Sequence, residues 1–139
     1  MRQVALAIIR KKGKYLVEKY KDDISGIYFY KFMGGGIEEG ETPQKALERE
    51  IREELKSEIT SISEPQICED EFTYLGIKRE IKAFLMEAEF KNEDDYDFSQ
   101  KLVYSPEGKF LSIAMWKSIE EIKAEGLQLY PRSVADKLK

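Results

Sequence analysis

Three glutamates on one predicted helix are the strongest sign of chemistry in this 139-residue chain. Glu50, Glu53 and Glu54 project together from a helix, because residues three and four apart share a face. Two carboxylates about 5 Å apart repel by roughly 3 kcal/mol at an effective dielectric of 20. A divalent cation reverses the sign of that interaction, and oxygen ligands suit magnesium, which completes its shell with water and substrate phosphates. The spacing therefore predicts a metal site that receives phosphate.

The competing interpretation of the acidic cluster is a solvated helix face. The same helix carries basic side chains that would pair with the glutamates, namely Lys45, Arg49 and Arg52. A run of three glycines, an acidic turn and a helix cap precede the glutamates, and this combination is rarer than any of its parts. The cap is Thr42-Pro43, since threonine suits the N-cap and proline the first helical position. The combination favours a functional site.

Histidine is absent from the chain, and Cys68 is its one cysteine. This excludes a Ser-His-Asp triad, a Cys-His dyad, a histidine zinc site and an internal disulfide. Proton transfer near neutral pH must therefore use carboxylates, lysines, tyrosines or metal-bound water. An oxygen-rich metal site favours magnesium, manganese or calcium over zinc.

Composition indicates a globular protein without a nucleic-acid or membrane partner. Apolar residues make up 42% and charged residues 36% of the chain, with a net charge of −4. Binding to nucleic acid or anionic lipid normally needs a basic surface. The chain has no long apolar run and no signal-peptide core at its N-terminus, so a cytoplasmic location is expected.

The elements that must position the glutamates alternate between strands and helices. Strands are predicted at residues 4–9, 27–33, 59–67, 72–74, 81–90 and 113–116, with residues 15–17 returning from a turn at 11–14 to form a hairpin. Residues 20–25 and 92–97 are predicted loops, and the glycines at 34–36 a tight loop that approaches something closely. Helices are predicted at 42–57, from Ser118 to a stop at Gly126, and at 131–138. This order predicts an α/β or α+β sandwich.

Gly35, Glu41 and residues 49–54 carry a family resemblance. This stretch resembles the Nudix box, G-x5-E-x7-R-E-U-x-E-E-x-G-U with U a bulky aliphatic residue, in order and spacing as far as Glu54. The resemblance implies a Nudix-type α/β/α sandwich with a mixed β-sheet and the Nudix loop and helix. It also implies a single domain over residues 1–139, with the box at about 35–57.

The chain departs from the family pattern at three positions. Lys56 and Ser57 stand where the box has its final glycine and aliphatic residue, and Met33 stands where proline is frequent. The glycine normally closes the helix in a left-handed conformation. Lysine adopts that conformation at a cost of about 1 kcal/mol or more, or else the helix continues. None of the three changes removes an expected metal ligand.

The resemblance implies a role for each box position. The metal ligands are the carboxylates of Glu50, Glu53 and Glu54 and the carbonyl of Gly34, around Mg²⁺ or Mn²⁺. Arg49 holds a box glutamate in its working orientation, as a bidentate ion pair can. Glu41 supports the corner between loop and helix, and the backbone of the loop depends on Gly35, Gly36 and Gly40.

The identity of the general base stays open at this point. Because histidine is absent, a glutamate takes the proton from the attacking water, with Glu53 or Glu50 expected within the box. Some family members use an acid from a distant loop instead. The candidates for that role are Glu80, Glu107 and the acids among residues 93–97, each of which also fits plain surface charge.

Substrate recognition lies outside the box. An aromatic ring that stacks on a nucleobase contributes about 1–3 kcal/mol in nucleic-acid complexes, and each candidate also fits core packing. The candidates are Tyr28, Tyr30, Phe72, Tyr74 and Tyr104. Tyr74 falls where dinucleoside polyphosphate hydrolases of the family tend to carry a tyrosine.

The resemblance leads to a hydrolase for a small-molecule nucleotide. The expected substrate is a nucleoside triphosphate, a dinucleoside polyphosphate or another nucleoside diphosphate derivative. The alternative is a nucleotide-sensing module of the same fold that binds without turnover, although a pure binder has no need of all three box acids. A homodimer is a further expectation, since twofold dimers are the commonest oligomers.

Overall fold

A mixed sheet forms the centre of the computed structural model, which describes residues 1–138. Its strands are β1 (Arg2–Ile8), β2 (Arg10–Lys11), β3 (Lys14–Lys21), β4 (Tyr28–Gly36), β5 (Ile59–Ser61), β6 (Gln66–Tyr74), β7 (Ile77–Phe90), β8 (Gln100–Tyr104), β9 (Phe110–Lys117) and β10 (Leu129–Tyr130). The main path runs β5-β7-β1-β4-β3-β9-β8, with β6 on β7, β2 on β3 and β10 on β4. Strand β1 is parallel to β7 and antiparallel to β4, so the sheet is mixed.

Helices cover both faces of the sheet, and each face has its own core. Helix α1 (Pro43–Leu55) lies on one face, while α2 (Ile119–Ala124) and α3 (Arg132–Ala135) lie on the other. Strand β4 serves both cores because its side chains alternate: Phe32 packs toward α2 and Met33 toward α1. This architecture confirms the predicted α/β/α sandwich. Within residues 1–138, every helix is too short or too polar to cross a membrane.

The glycine run is strand, so the predicted tight loop at residues 34–36 is wrong. Gly34, Gly35 and Gly36 complete β4 and pair with β1. The expected close approach is real, because a Cβ on Gly34, whose φ is +141°, would overlap the carbonyl oxygen of Ala5. The glycines therefore let two strands and a helix come together more closely than side chains would allow.

Helix α1 begins and ends with identifiable caps. The Thr42 hydroxyl accepts a hydrogen bond from the Lys45 amide at 3.1 Å. At the other end Lys56 is left-handed (φ 58°, ψ 34°), and its amide bonds to the Arg52 carbonyl. Of the two expected outcomes, the left-handed lysine is therefore the one observed, and the helix stops at Leu55 instead of residue 57.

Other boundaries differ where turns were unrecognised. Strand β3 forms its hairpin with the short β2, whereas β1 pairs with β4 and β7. Strand β3 continues through Tyr20 and Lys21, so part of the predicted loop at 20–25 is sheet. The predicted strand at 59–67 is two strands, β5 and β6, and β8 was missed. Residues 92–97 contain a short 3₁₀ helix (Glu93–Tyr96), whereas the Ser118 capping box is confirmed.

Candidate active site

Arg49 ties the glycine strand, the acidic turn and two box glutamates together. Its Nε and Nη2 donate to the two carboxylate oxygens of Glu41 at 2.8 and 3.0 Å, and Nη2 also donates to the Gly36 carbonyl at 2.9 Å. Its Nη1 donates to Glu50 at 3.1 Å and to Glu53 at 2.9 Å. One guanidinium nitrogen therefore contacts both Glu50 and Glu53.

Glu41 stabilises the turn that precedes α1. Its Oε1 accepts the backbone amide of Glu38 at 2.9 Å, while both of its oxygens accept from Arg49. The hydrogen bonds from Arg49, followed by the Glu38 amide, lower the pKa of Glu41 to about 2. Glu41 is thus a fixed anion across the neutral range, which suits the supporting role expected of it.

Glu50 lies directly against the backbone of Gly35. A Cβ on Gly35 would be 2.5 Å from the carboxyl carbon of Glu50, so only glycine leaves room for this carboxylate. Burial raises the pKa of Glu50, and Arg49 opposes that rise. The Glu50 carboxylate therefore occupies the space that a side chain at Gly35 would need.

Glu54 presents a buried carboxylate oxygen without a donor. Its Oε1 is shielded from solvent, and no hydrogen-bond donor in residues 1–138 reaches it. Burial raises the pKa of Glu54, and the Glu18 carboxylate raises it further, while the Lys31 ammonium lowers it. A buried carboxylate oxygen without a partner is costly, and a bound cation removes that cost.

Two charged residues beside Glu54 were missed by the sequence interpretation. Glu18, on β3, is fully buried, and its Oε1 accepts the Ser112 hydroxyl at 2.8 Å. Its Oε2 lies 3.0 Å from Nζ of Lys31, on β4. Burial alone would lower the pKa of Lys31, but the Glu18 carboxylate and other neighbours raise it, so the ammonium is retained. The missed signal was the alternation of side chains along each strand, which places Glu18 on the face of Leu16 and Lys31 on the face of Met33.

A row of aromatic rings starts at Lys31. The ring of Tyr20 lies 5.8 Å from the Lys31 Nζ and stacks on Phe29 at 5.5 Å. Phe29 in turn meets Tyr74 and Tyr130 edge-on, at 5.6 and 5.7 Å. Neither Tyr20, which was predicted to lie in a loop, nor Phe29 was among the sequence candidates.

Tyr74 also lines a cleft of about 510 Å³. The cleft contains basic side chains, among them Arg2 and Arg79, together with Phe72 and the exposed Glu80. Two of the predicted stacking residues, Phe72 and Tyr74, thus share one cleft with Glu80, a candidate acid outside the box.

The remaining candidates make other contacts or lie in turns. The ring of Tyr30 is fully buried, and its hydroxyl donates to Glu125 at 2.8 Å, so it packs toward the helix on the opposite face. Tyr28 is exposed beside two lysines, and Tyr104 packs on Phe110. Glu107 is exposed in the β8–β9 turn, and residues 93–97 follow β7. Gly40 has a φ of +85° in the acidic turn, which supports its expected backbone role.

The box glutamates have the donor chemistry of a divalent-metal site. Hard carboxylate oxygens and a backbone carbonyl suit Mg²⁺ or Mn²⁺, and the buried oxygen of Glu54 is the observation that a cation would satisfy. In the described part of the chain, no three Cys, Asp or Glu side chains already surround one metal position. Arg49 and Lys31 hold the carboxylates in positions that do not converge on one point. The carboxylate side chains must therefore rotate before a metal can bind.

The family model described as NUDIX domain matches residues 1–138. Nucleoside triphosphatase NudI of Enterobacter sp. (strain 638) is 43% identical over 65 residues, which are 44% of this chain and 45% of that protein. NudI of Escherichia coli O139:H28 is 40% identical over 60 residues, 42% of each chain. These matches therefore span less than half the length of either relative.

Solved structures share the fold over nearly the whole chain. The E. coli ORF135 protein aligns with a TM-score of 0.61 and 26% identity, covering 96% of this chain and 84% of that one. A NUDIX hydrolase from Nitrosomonas europaea aligns with a TM-score of 0.67 and 20% identity, covering 98% and 86%.

Proposed function

The chain belongs to the NUDIX domain family, and from this premise we propose that it is a divalent-metal-dependent hydrolase that cleaves a diphosphate linkage in a nucleoside diphosphate derivative. The observation that carries the proposal is the buried, donor-free oxygen of Glu54 beside two glutamates fixed by one arginine. A surface helix would leave these side chains in water, where no cation is needed to satisfy them.

The proposed roles follow the contacts of each side chain. Glu50, Glu53 and Glu54 would hold Mg²⁺ or Mn²⁺ together with the Gly34 carbonyl. When bound, the metal neutralises phosphate charge and lowers the pKa of a coordinated water. Arg49 orients Glu50 and Glu53. Glu53 or Glu50 accepts the proton of the attacking water, and Glu53 is the better exposed of the two at 34% of its side chain against 17%.

A nucleoside triphosphate is the proposed first substrate. The matched NudI proteins are described as nucleoside triphosphatases. The row of Tyr20, Phe29 and Tyr74 begins beside Lys31 and offers rings on which a base can stack. A dinucleoside polyphosphate is the second candidate, because the row ends at a basic cleft with room for a further nucleoside.

The rival proposal is a nucleotide-sensing module without turnover. It would retain the aromatic row and cleft but would not need the precise placement of Glu53 by Arg49. In both cases the partner is a small nucleotide, and we propose that residues 1–139 act as one cytoplasmic domain, as a monomer or a homodimer.

Product analysis with Mg²⁺ or Mn²⁺ tests the proposal. The protein is incubated with nucleoside triphosphates, dinucleoside polyphosphates, ADP-ribose and nucleotide sugars, beside Glu53→Gln and the same-helix control Glu48→Gln. We expect a nucleoside monophosphate product that is retained in Glu48→Gln and reduced by about 10²-fold or more, roughly 2.7 kcal/mol in barrier, in Glu53→Gln. Nucleotide binding with metal but without product would favour the sensing module instead.

A further inference from the structure

Lys31 contacts a backbone carbonyl that belongs to the proposed metal site. Its Nζ donates to the carbonyl oxygens of Phe32 at 3.2 Å and Gly34 at 3.3 Å. The Gly34 carbonyl is the backbone ligand assigned to the metal in the proposed function. A lysine ammonium therefore already contacts one of the proposed ligand atoms.

The carboxylate of Glu18 contacts the same ammonium. Glu18 Oε2 lies 3.0 Å from Lys31 Nζ, and no hydrogen-bond donor in residues 1–138 is aligned with that oxygen. Glu54 Oε1 likewise lacks a donor in the described chain and interacts electrostatically with both Glu18 and Lys31. The ammonium of Lys31 thus contacts one buried carboxylate and two backbone carbonyls, and the Glu54 carboxylate acts on it electrostatically.

The rest of Glu18 is arranged to keep the carboxylate in place. Its other oxygen accepts the hydroxyl groups of Ser112 at 2.8 Å and Tyr20 at 3.3 Å. Those two bonds fix the orientation of Glu18, so Oε2 stays directed at the ammonium. An ordinary buried ion pair has no need of a proposed metal-ligand carbonyl at the same nitrogen.

We propose that Lys31 is a tethered cation that takes the place of one divalent ion, which Glu18, Glu54 and the Gly34 carbonyl would otherwise bind. The chain then binds fewer divalent ions than its carboxylates allow. The inference rests on the proposed metal site of the box glutamates, and it adds a specific residue that limits how many ions that site accepts.

Counting Mn²⁺ ions without nucleotide tests the inference. Isothermal titration calorimetry and equilibrium dialysis with MnCl₂ are applied to the wild-type chain, Lys31→Met, Lys31→Met/Glu18→Gln and the exposed-lysine control Lys45→Met. We expect Lys31→Met to bind one more Mn²⁺ per chain than wild type. The double variant and Lys45→Met should keep the wild-type number, because the extra ion requires Glu18.

Thermal melting with and without Mn²⁺ covers the case in which Lys31→Met is unstable. Removal of Lys31 leaves Glu18 buried and unpaired, so we expect this variant to melt lower than wild type in EDTA and to gain several degrees more from Mn²⁺. The double variant lacks that charge and should show only the wild-type gain.

The outcomes separate the inference from the proposed function. Equal Mn²⁺ numbers and equal Mn²⁺-induced melting shifts in wild type and Lys31→Met would overturn the tethered cation while leaving the box site intact. No Mn²⁺ bound to either chain would instead overturn the metal site of the proposed function and, with it, the inference.

Discussion

Arg49 shows how one side chain can hold together an acidic cluster that would otherwise repel itself. Its guanidinium has a fork of donors in fixed directions. Its Nε donates to Glu41 and its Nη2 to the Gly36 carbonyl, while its Nη1 donates to both Glu50 and Glu53. Lysine cannot reproduce this, because it has one nitrogen. The arginine of the box is thus required by geometry as much as by charge.

Gly35→Ala should reduce activity strongly while changing stability only slightly. The added Cβ would lie 2.5 Å from the Glu50 carboxyl carbon, and that carboxyl is the free end of a flexible side chain. We expect Glu50 to swing away, with unfolding free energy changed by about 1 kcal/mol or less and kcat/KM reduced by about 10²-fold. Urea unfolding and steady-state kinetics on the substrate found in the product screen measure the two quantities.

Gly108→Ala is the matched control for that variant. Gly108 has a φ of +89° in the β8–β9 turn and nothing within 4 Å of an added Cβ. We expect it to lose about 1 kcal/mol of stability from backbone strain and to keep its activity. Retained activity in Gly35→Ala would contradict the assigned role of Glu50.

At the scale of elements, the helix and its caps were predictable, whereas strand pairing was not. Thr42, Pro43 and the apolar spacing of α1 are local signals, and the structure bears them out. The pairing of β1 with β7 joins residues far apart in sequence, and no local pattern encodes it. Glu18 and Lys31 were missed for the same reason, because each matters only through a neighbouring strand.

Lys56→Gly should stabilise the end of α1. Lys56 is left-handed, a conformation that glycine adopts without the penalty of a side chain. The substitution removes a hydrogen bond from Lys56 Nζ to the Glu53 carbonyl but relieves the strain, so we expect a net gain of about 0.5–1 kcal/mol. Chemical denaturation measures it.

Lys45→Gly is the control, because it replaces a lysine whose backbone is helical. Lys45 is exposed in the first turn of α1, where glycine is a poor helix former. We expect a loss of up to about 1 kcal/mol. The same sign in both variants would contradict the left-handed assignment of Lys56.

At the scale of the whole molecule, one sheet carries both cores. Trp116 belongs to the core under α1, and Leu129 belongs to the core under α2 and α3. The two cores meet through β4, whose neighbouring residues Phe32 and Met33 point into different ones. Loss of packing on one face should therefore loosen the other.

Leu129→Ala tests whether the two faces unfold together. We expect a loss of about 2–5 kcal/mol, typical of a buried leucine truncated to alanine. Trp116 fluorescence and far-UV circular dichroism should follow a single urea transition in wild type, and both midpoints should shift equally in the variant. A Trp116 midpoint that stays in place would show two independent units and contradict the proposed single domain.

The basic side chains around the carboxylates also bear on how the newly made chain matures. Arg49 and Lys31 lie against acids that would otherwise be buried beside one another without a counterion. Many small metalloproteins stay unfolded until their ion arrives. Here the polypeptide carries its own positive charges, so folding can finish without a metal, and the metal of the proposed function would bind afterwards in a separate, reversible step.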